Sequence, residues 1–493
     1  MSSVSSVSSV SSESSASALP SGASVPPGAP GGPGEPSAAR RRTAWAEGVD
    51  RLRAAATTEP GRLRAIGAVL ALLLLVFGAA TAWQVTDRSR AADDVVLRSQ
   101  PLTADAASIY RSLADADTTA AGGFLAGGTE SPATRARYEQ DLATASRLLV
   151  KAAAQARVPG PEGRAADPTG TQIARLNTLL PRYTGLIETA RTNNRQGLPL
   201  GGAYLRYANE RMRTELLPAA RELYDAERQR LAADVQRATA RPWWALAAGA
   251  PALAALVWAQ RRHHRRTNRV FNHGLLAATA ASVAMLLWLV AAHVVARAGL
   301  TAADAHGARS LQVLNTARID ALRARADENL TLVARGAVLT ADQKDFYEVD
   351  FQAKMGRLAG PADGPGPVGG AGELGRALVS AGDETGRGPV RDAVAALGQW
   401  RARHAAARAA DDRGDYHRAL AQVIGGDGST GASFDRVDTG LERALVHEQA
   451  RFRSAADRGR AAFGLLAAGA GVLAVVAAVA AVLGIGRRLS EYR

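Results

Sequence analysis

The sequence predicts an all-α membrane protein, in which four transmembrane helices alternate with two extracytoplasmic up-down helical bundles. Four stretches contain no Asp, Glu, Lys or Arg, and each is about as long as the ~20 residues that a helix needs to cross ~30 Å of hydrocarbon. Between them lie two long polar segments in which apolar residues recur three or four positions apart, as on one face of a helix. Runs of alternating β-branched residues are absent, so strands have little support.

These stretches divide the chain into nine segments. In order, they are a disordered cytoplasmic tail (1–64), the first transmembrane helix (65–86), the first extracytoplasmic bundle (87–241), the second transmembrane helix (242–260), a basic cytoplasmic loop (261–269), the third transmembrane helix (270–296), the second extracytoplasmic bundle (297–460), the fourth transmembrane helix (461–486) and a cytoplasmic tail (487–493). The tail at 1–64 is rich in Ser, Pro and Gly and has little with which to form a core. We expect the first span to be an uncleaved signal anchor.

Arginine sets the expected orientation. The loop at 261–269 holds five arginines and no acid, and basic residues in short loops favour the cytoplasmic side. The chain ends then also lie inside, and the protein is expected in the plasma membrane. Most of the net charge of +14 is accounted for by this orientation signal and by attraction to anionic lipids, so nucleic acid is not expected as a partner. The predicted cytoplasmic output contact consists of Arg261, Arg262, Arg265, Arg266 and Arg269.

Each polar segment begins and ends at the membrane, so four antiparallel helices are the natural number. Helices are predicted at about 92–126, 133–157, 169–194 and 203–240, and again at about 299–336, 341–359, 391–422 and 432–460, with a weaker helical piece near 373–382. Pro218 should kink the last helix of the first bundle. Thr340 and Gln343 form the pattern of a capping box at a helix start.

Five residues of the first bundle recur at one fixed offset in the second. Leu113, Gly127, Tyr138, Glu139 and Asp141 match Leu322, Gly336, Tyr347, Glu348 and Asp350. Together with the repeated span–bundle–span order, this match favours a tandem duplication over chance.

Enzyme signatures are missing. The sequence has no phosphate-binding loop, no kinase or Gly-x-Ser-x-Gly signature and no cysteine, which removes the thiol nucleophile and disulfides. The histidines lack metal-ligand spacing, and the spans lack the internal charges that transport pathways commonly need. We therefore expect no catalytic activity, no cofactor and no metal. Small residues in the spans suit close helix packing.

Two groups of residues are candidates for ligand or partner binding. The first lies on the first helix of the second bundle and offers bidentate donors for a carboxylate, the alternative being an ordinary charged helix face. It consists of Arg323, Arg325, Asp327, Glu328, Asn329 and Arg335. The second consists of the pairs Tyr138 with Asp141 and Tyr347 with Asp350, which equally suit hydrogen bonds between helices.

Residues 65–493 resemble an actinobacterial family of four-pass membrane proteins. That family links an extracytoplasmic amino-acid-binding lipoprotein to serine/threonine protein kinase G. The resemblance lies in the four spans, two outer bundles and Arg-rich inner loop, and in the runs Leu113–Gly128 (LADADTTAAGGFLAGG) and Leu322–Gly336 (LRARADENLTLVARG). It implies a relay of aspartate or glutamate availability, with the lipoprotein as partner outside and the kinase inside. The bundles are also similar in fold to chemoreceptor ligand-binding domains.

The leading hypothesis is therefore a non-enzymatic transmembrane sensor or adaptor. Because the sequence ends a few residues after its last span, we expect a separate output partner. An envelope scaffold without signalling and direct small-molecule sensing by the bundles remain alternatives, and an oligomer is possible.

Overall fold

The computed structural model describes residues 59–127, 130–156, 168–267, 272–360, 372–464 and 466–489. The predicted disorder of the N-terminal tail falls on residues that lie almost wholly outside these ranges. Within them the chain is all-α, as predicted, and forms no strand beyond an isolated antiparallel bridge between Leu339 and Asp345.

The described ranges contain fifteen α-helices. They are α1 (Glu59–Asp94), α2 (Gln100–Leu125), α3 (Pro132–Ala156), α4 (Pro168–Arg195), α5 (Leu200–Arg211), α6 (Leu217–Thr239), α7 (Trp243–Thr267), α8 (His273–Ala302), α9 (Arg309–Ala334), α10 (Phe346–Ala359), α11 (Glu373–Ser380), α12 (Glu384–Asp412), α13 (Tyr416–Ile424), α14 (Thr430–Ala461) and α15 (Leu466–Leu489). Three π-helical turns join consecutive helices without a break: πA (Val95–Ser99), πB (Met212–Leu216) and πC (Ala303–Ala308).

Four helical stretches, in α1, α7, α8 and α15, are long and apolar enough to cross a membrane. Their outward faces carry exposed aliphatic side chains, among them Leu72, Leu287 and Leu483, each more than 60% exposed. An apolar band of this extent is unfavourable in water and matches a hydrocarbon surrounding. The chain is thus a membrane protein.

Glycine lets two of these helices, α8 and α15, touch along their backbones. A Cβ atom built on Gly274 of α8 would lie 2.4 Å from the Cα atom of Gly484 in α15. Asn272 caps α8 through its Oδ1 and donates from Nδ2 to the carbonyl oxygen of Gly484 at 2.8 Å. Gly78 of α1 meets Ala474 of α15 in the same way. Small residues at these contacts replace the hydrophobic driving force that lipid does not supply.

The helices between the spans form two bundles with one contiguous core. The first bundle contains α2 to α6 and the second contains α9 to α14. One cluster of buried side chains runs through both, from Leu113 and Tyr183 in the first to Phe351 and Trp400 in the second. The helices α2 and α9 continue the spans α1 and α8, so each bundle starts as a direct extension of a span.

Local chemistry modifies three of the predicted helix boundaries. The kink expected at Pro218 is taken up by πB, in which the N–H of Leu217 donates to the carbonyl of Met212, so the wider turn accommodates the proline ring. The capping box at Thr340 is wrong: Gln343 has φ +58°, and Asp345 caps α10 by accepting from the N–H groups of Tyr347 and Glu348. The single helix expected at 391–422 is also wrong. It ends before Gly414, whose φ is +81°, and α13 begins behind a new cap at Asp415.

The glycine contact between α8 and α15 leads to a first prediction. Gly274→Ala places a methyl group against the α15 backbone, and overpacking of this kind costs about 1–3 kcal/mol. We expect a lower thermal unfolding temperature for the purified protein in detergent. Gly471→Ala is the matched control, because nothing lies within 4 Å of a Cβ atom at that position. Equal unfolding temperatures for the two variants would contradict the contact.

Candidate functional site between the two bundles

The first helices of the two bundles, α2 and α9, lie side by side, and we call their contact the seam. Thr118 Oγ1 of α2 donates to the carbonyl oxygen of Leu322 in α9 at 2.8 Å, and Asn329 Nδ2 donates to the carbonyl of Thr118 at 3.4 Å. Nearer the membrane, Arg111 of α2 donates to Asn315 Oδ1 of α9. Both helices run away from their spans, so the seam joins two parallel helices.

Charged side chains from four helices surround the middle of the seam. Arg137 of α3 donates to both carboxylate oxygens of Asp115, at 2.9 and 3.0 Å. Arg318 of α9 forms a second bidentate pair with Asp438 of α14, at 2.6 and 2.9 Å. Arg137 also lies 4.0 Å from Asp438 and 3.8 Å from Asp435, across the boundary between the bundles. The charges therefore alternate in sign across the seam.

Asp141 lies beside Asp115 and lacks a cation of its own. Its Oδ2 atom is buried and has no hydrogen-bond partner among the described residues. Burial, and then the neighbouring negative charge of Asp115, raise the pKa of Asp141 to about 8. At neutral pH the protonated form therefore predominates at Asp141.

The first predicted group does not converge on one place. Arg325 points into the second bundle, where it pairs with Glu328 and donates to Thr430 Oγ1 at 2.9 Å and to the Val423 carbonyl at 3.0 Å. Asp327 accepts from the buried Lys354 at 2.6 Å. Arg335 ends α9 in the left-handed region, with its guanidinium 3.8 Å from the Tyr416 ring centre. It lies ~18 Å along the helix axis from Arg323.

Glu328 belongs to a buried network inside the second bundle. It accepts from Trp400 Nε1 at 3.1 Å and lies 2.9 Å from His404 Nδ1. His404 Nε2 is in turn 3.0 Å from Glu348 Oε2. Burial alone lowers the pKa of His404, but its hydrogen bonds to Glu328 and Glu348 outweigh burial and raise that pKa to about 9. The imidazolium is held between two carboxylates, so this network stabilises the bundle core.

The two Tyr–Asp pairs differ in their surroundings. Tyr138 and Tyr347 are both buried, but the Arg191 guanidinium covers Tyr138 at 4.2 Å while Tyr347 packs edge-on against Phe346. Asp350 pairs with Lys354 at 2.6 Å, and Asp141 has no such cation. Contact of these pairs with a partner protein stays a prediction.

The predicted output arginines lie at the end of α7 and beyond it. Arg261, Arg262 and Arg265 are on the last turns of this helix, and the Arg262 guanidinium lies 5.4 Å from the Trp258 ring centre. Arg269 and the Arg266 side chain fall outside the described residues.

Two clefts open between the bundles, one on each side of the seam. The larger, about 530 Å³, lies towards the membrane-distal end, and its lining includes Arg137, Asn329 and Asp435. The smaller, about 290 Å³, contains Arg323 together with Tyr110, Arg221 and Glu373. Sequence reasoning singled out Arg323 but missed the other three, because no local pattern joins residues from four separate helices. Among the described residues, no group of three His, Asp or Glu side chains is arranged to hold a metal ion.

A comparison with known families gives one match, which falls on the first bundle. Residues 91–236 match the family model described as actinobacterial sensor domain. No curated protein and no solved structure matches the chain. The matched residues run from the end of α1 almost to the end of α6 and include the α2 side of the seam. The match supports an actinobacterial sensor protein and suggests a role without catalysis.

The His404 network gives a pH prediction. Its pKa of about 9 in the folded protein exceeds the ~6.5 of an unfolded chain, so its stabilisation of ~3 kcal/mol is full below pH ~6.5 and is lost as the pH rises through about 9. We expect the difference in unfolding temperature between the wild type and His404→Gln to be largest near pH 6 and to shrink by pH 9.5. His417→Gln, at a histidine outside this network, is the control. A difference that does not vary with pH would contradict the assigned network.

Proposed function

We propose that the chain is a non-enzymatic transmembrane sensor or adaptor that relays aspartate or glutamate availability outside the cell to a cytoplasmic serine/threonine kinase. A solute-binding lipoprotein would deliver the signal to the bundles. The observation that carries the sensor role is the seam, because it couples the first helix of one bundle to that of the other and each helix continues a span. The lipoprotein and the kinase are supported by the family resemblance.

The continuous helices provide a path across the membrane. A displacement of α2 against α9 reaches the spans α1 and α8 through πA and πC, because no loop intervenes. In πA, the Ser99 hydroxyl donates to Asp234 of α6. In πC, a Cβ atom on Gly307 would lie 2.8 Å from the Phe452 ring of α14. Each π turn thus contacts the last helix of its own bundle. A change in the packing of that bundle would therefore act directly on its π turn. π turns inside α-helices are frequent at functional sites.

We also propose that the two bundles arose by tandem duplication. The sequence matches share an offset of 209 residues, as from Leu113 to Leu322. The same offset carries πA (Val95–Ser99) onto residues 304–308, the last five of πC (Ala303–Ala308). It also carries Gly127 onto Gly336, and both glycines have positive φ. Under this offset Thr118 of α2 corresponds to residue 327 of α9. Thr118 forms hydrogen bonds with Leu322 and Asn329, which lie before and after residue 327 in α9. The seam then resembles the interface of a parallel two-fold pair built within one chain.

The proposed orientation places both bundles outside the cell and the end of α7 inside. Because the chain has no cysteine, single cysteines can report this directly. We expect Gln196→Cys and Asp342→Cys to react with a membrane-impermeant maleimide on intact cells, and His264→Cys to react only after permeabilisation. All three wild-type side chains are exposed, so differences in labelling between the three variants report the side of the membrane and not burial within the fold. Labelling of His264→Cys on intact cells would overturn the orientation.

The relay itself is tested by crosslinking the tagged full-length protein in its own cells and identifying the captured proteins by mass spectrometry. We expect both a solute-binding lipoprotein and a serine/threonine kinase. Replacing Arg262 and Arg265 by Gln should reduce capture of the kinase severalfold and leave capture of the lipoprotein unchanged, because the two contacts lie on opposite sides of the membrane. Arg413→Gln, in the turn after α12, is the control.

Maleimide labelling of His264→Cys in the Arg262 and Arg265 background checks that the orientation is retained. Capture of envelope-assembly proteins without a kinase would reject the relay and favour a scaffold role.

A further inference from the structure

The smaller cleft beside the seam has walls from both bundles. Its volume is about 290 Å³, just below the ~300–1,000 Å³ range typical of drug-sized ligand sites, which suits a ligand smaller than a drug. Tyr110 of α2 and Arg221 and Tyr224 of α6 line one side, and Arg323 of α9, Arg357 of α10 and Glu373 of α11 line the other. A molecule held here would touch both sides of the seam.

Arg323 supplies a cation without an ion partner. In the part of the chain that the structure describes, its guanidinium has neither an ion pair within 4.0 Å nor a hydrogen bond, although its side chain is half-buried. Arg357, in the same cleft, differs because it is paired. Its Nε and Nη2 atoms donate to the two carboxylate oxygens of Asp320, at 2.7 and 3.0 Å. Arg221 has only a loose contact with Asp225 at 3.8 Å. Arg323 can therefore receive a carboxylate through two parallel hydrogen bonds.

Glu373 supplies an acceptor without a donor. The residue is only 5% exposed, and its Oε2 atom is buried with no hydrogen-bond partner among the described residues. Burial, and then the charge of Asp320, raise the pKa of Glu373 to about 7. A buried carboxyl group in this condition is unfavourable unless a donor reaches it. An ammonium group from a ligand would be such a donor.

We infer that this cleft binds a small zwitterion of the α-amino acid class directly, with the ligand carboxylate on Arg323 and the ligand ammonium on Glu373. The remaining charges of the cleft largely cancel within it: Arg357 pairs with Asp320, and Arg221 lies beside Asp225. One unpaired cation and one unpaired acid thus remain, which matches a molecule carrying one charge of each sign. The inference rests on the proposed sensor function and adds direct ligand binding to it as a second input beside the lipoprotein, since a ligand contacting both bundles would set their separation at the seam.

The test uses the full-length protein in lipid nanodiscs, without partner proteins. Each of the twenty standard L-amino acids is titrated in turn by isothermal titration calorimetry. For the tightest binder, we then titrate the carboxylic acid that lacks its amino group and the amine that lacks its carboxylate. We expect at least one amino acid to bind and both analogues to bind at least about tenfold more weakly, because each leaves one charged group of the cleft unpaired.

Two variants assign the site. Arg323→Ala and Glu373→Gln should each weaken binding at least about tenfold, whereas Arg387→Ala, at an exposed arginine of α12 outside the cleft, should leave it unchanged. Glu373→Gln keeps the side-chain volume and removes a buried charge, so it tests the site even if Arg323→Ala fails to fold; thermal unfolding checks both. Absence of binding by all twenty amino acids, unchanged affinity in Glu373→Gln, or equal affinity for the analogue without an amino group would overturn the inference. The proposed relay would survive each of these results, because its crosslinking test depends on captured proteins and not on this cleft.

Discussion

The pairing of α2 with α9 is the contact on which the rest of the arrangement depends. Each of these helices is the outward continuation of a span, so their separation fixes the separation of α1 and α8 where these leave the membrane. The pairing is polar at its centre. Arg111 is partly buried there, and this burial, followed by the neighbouring charge of Arg318, lowers its pKa to about 10. Charges buried in this way add little net stability compared with apolar side chains of the same volume, yet an unpaired one is costly. The seam therefore selects one register of α2 against α9, because a slip of the first bundle by one turn would separate Arg111 from Asn315 and Arg137 from Asp438.

The membrane-spanning helices are held together by backbone contacts at small residues and not by charge pairs, which allows them small movements against one another. Their contacts are close backbone approaches at small residues, as between Gly274 and Gly484 or Gly78 and Ala474, and within the described parts of the four spans no ion pair holds a single register. Helices in such contact can slide or rotate slightly without separating opposite charges. Hydrogen bonds between spans, from Asn272 to the Gly484 carbonyl and from Gln260 to Thr279, also favour one register in the membrane, and charge pairing adds to this selection at the seam. The π turns πA and πC lie between these two regions, where an additional residue per turn lets a helix adjust its phase without a break.

The spans and the helical content could be predicted from the sequence because both depend on local composition: the absence of charge over a membrane thickness, and apolar residues at helical spacing. The direction of the Arg325 side chain, into the second bundle, could not be predicted in this way. Its partners Val423 and Thr430 lie about a hundred residues further along the chain, and a charged residue on a helix of mixed sequence looks the same whether it faces water or a buried carboxylate. Glu373 follows a Gly/Pro-rich stretch in a short helix, and only tertiary packing buries it. Arg323 can be singled out because clustered arginines are visible in sequence, but only the fold leaves it without an ion pair within 4.0 Å among the described residues.

The two bundles are not interchangeable, although we propose that they share an origin. At the offset of 209 residues, Asp141 corresponds to Asp350, and the buried Ala145 corresponds to Lys354. The lysine neutralises the acid in the second bundle; in the first bundle the acid lies beside Asp115. Because the pKa of Asp141 is raised in the folded protein, to about 8, the folded state binds more protons than the unfolded state between pH ~4 and 8, and rising pH weakens the first bundle over that interval. The second bundle holds its corresponding position with an ion pair. The second bundle also contains a carboxyl of this kind, because burial raises the pKa of Asp327 to about 7 although this residue accepts from Lys354. Rising pH therefore weakens both bundles as it passes through these values.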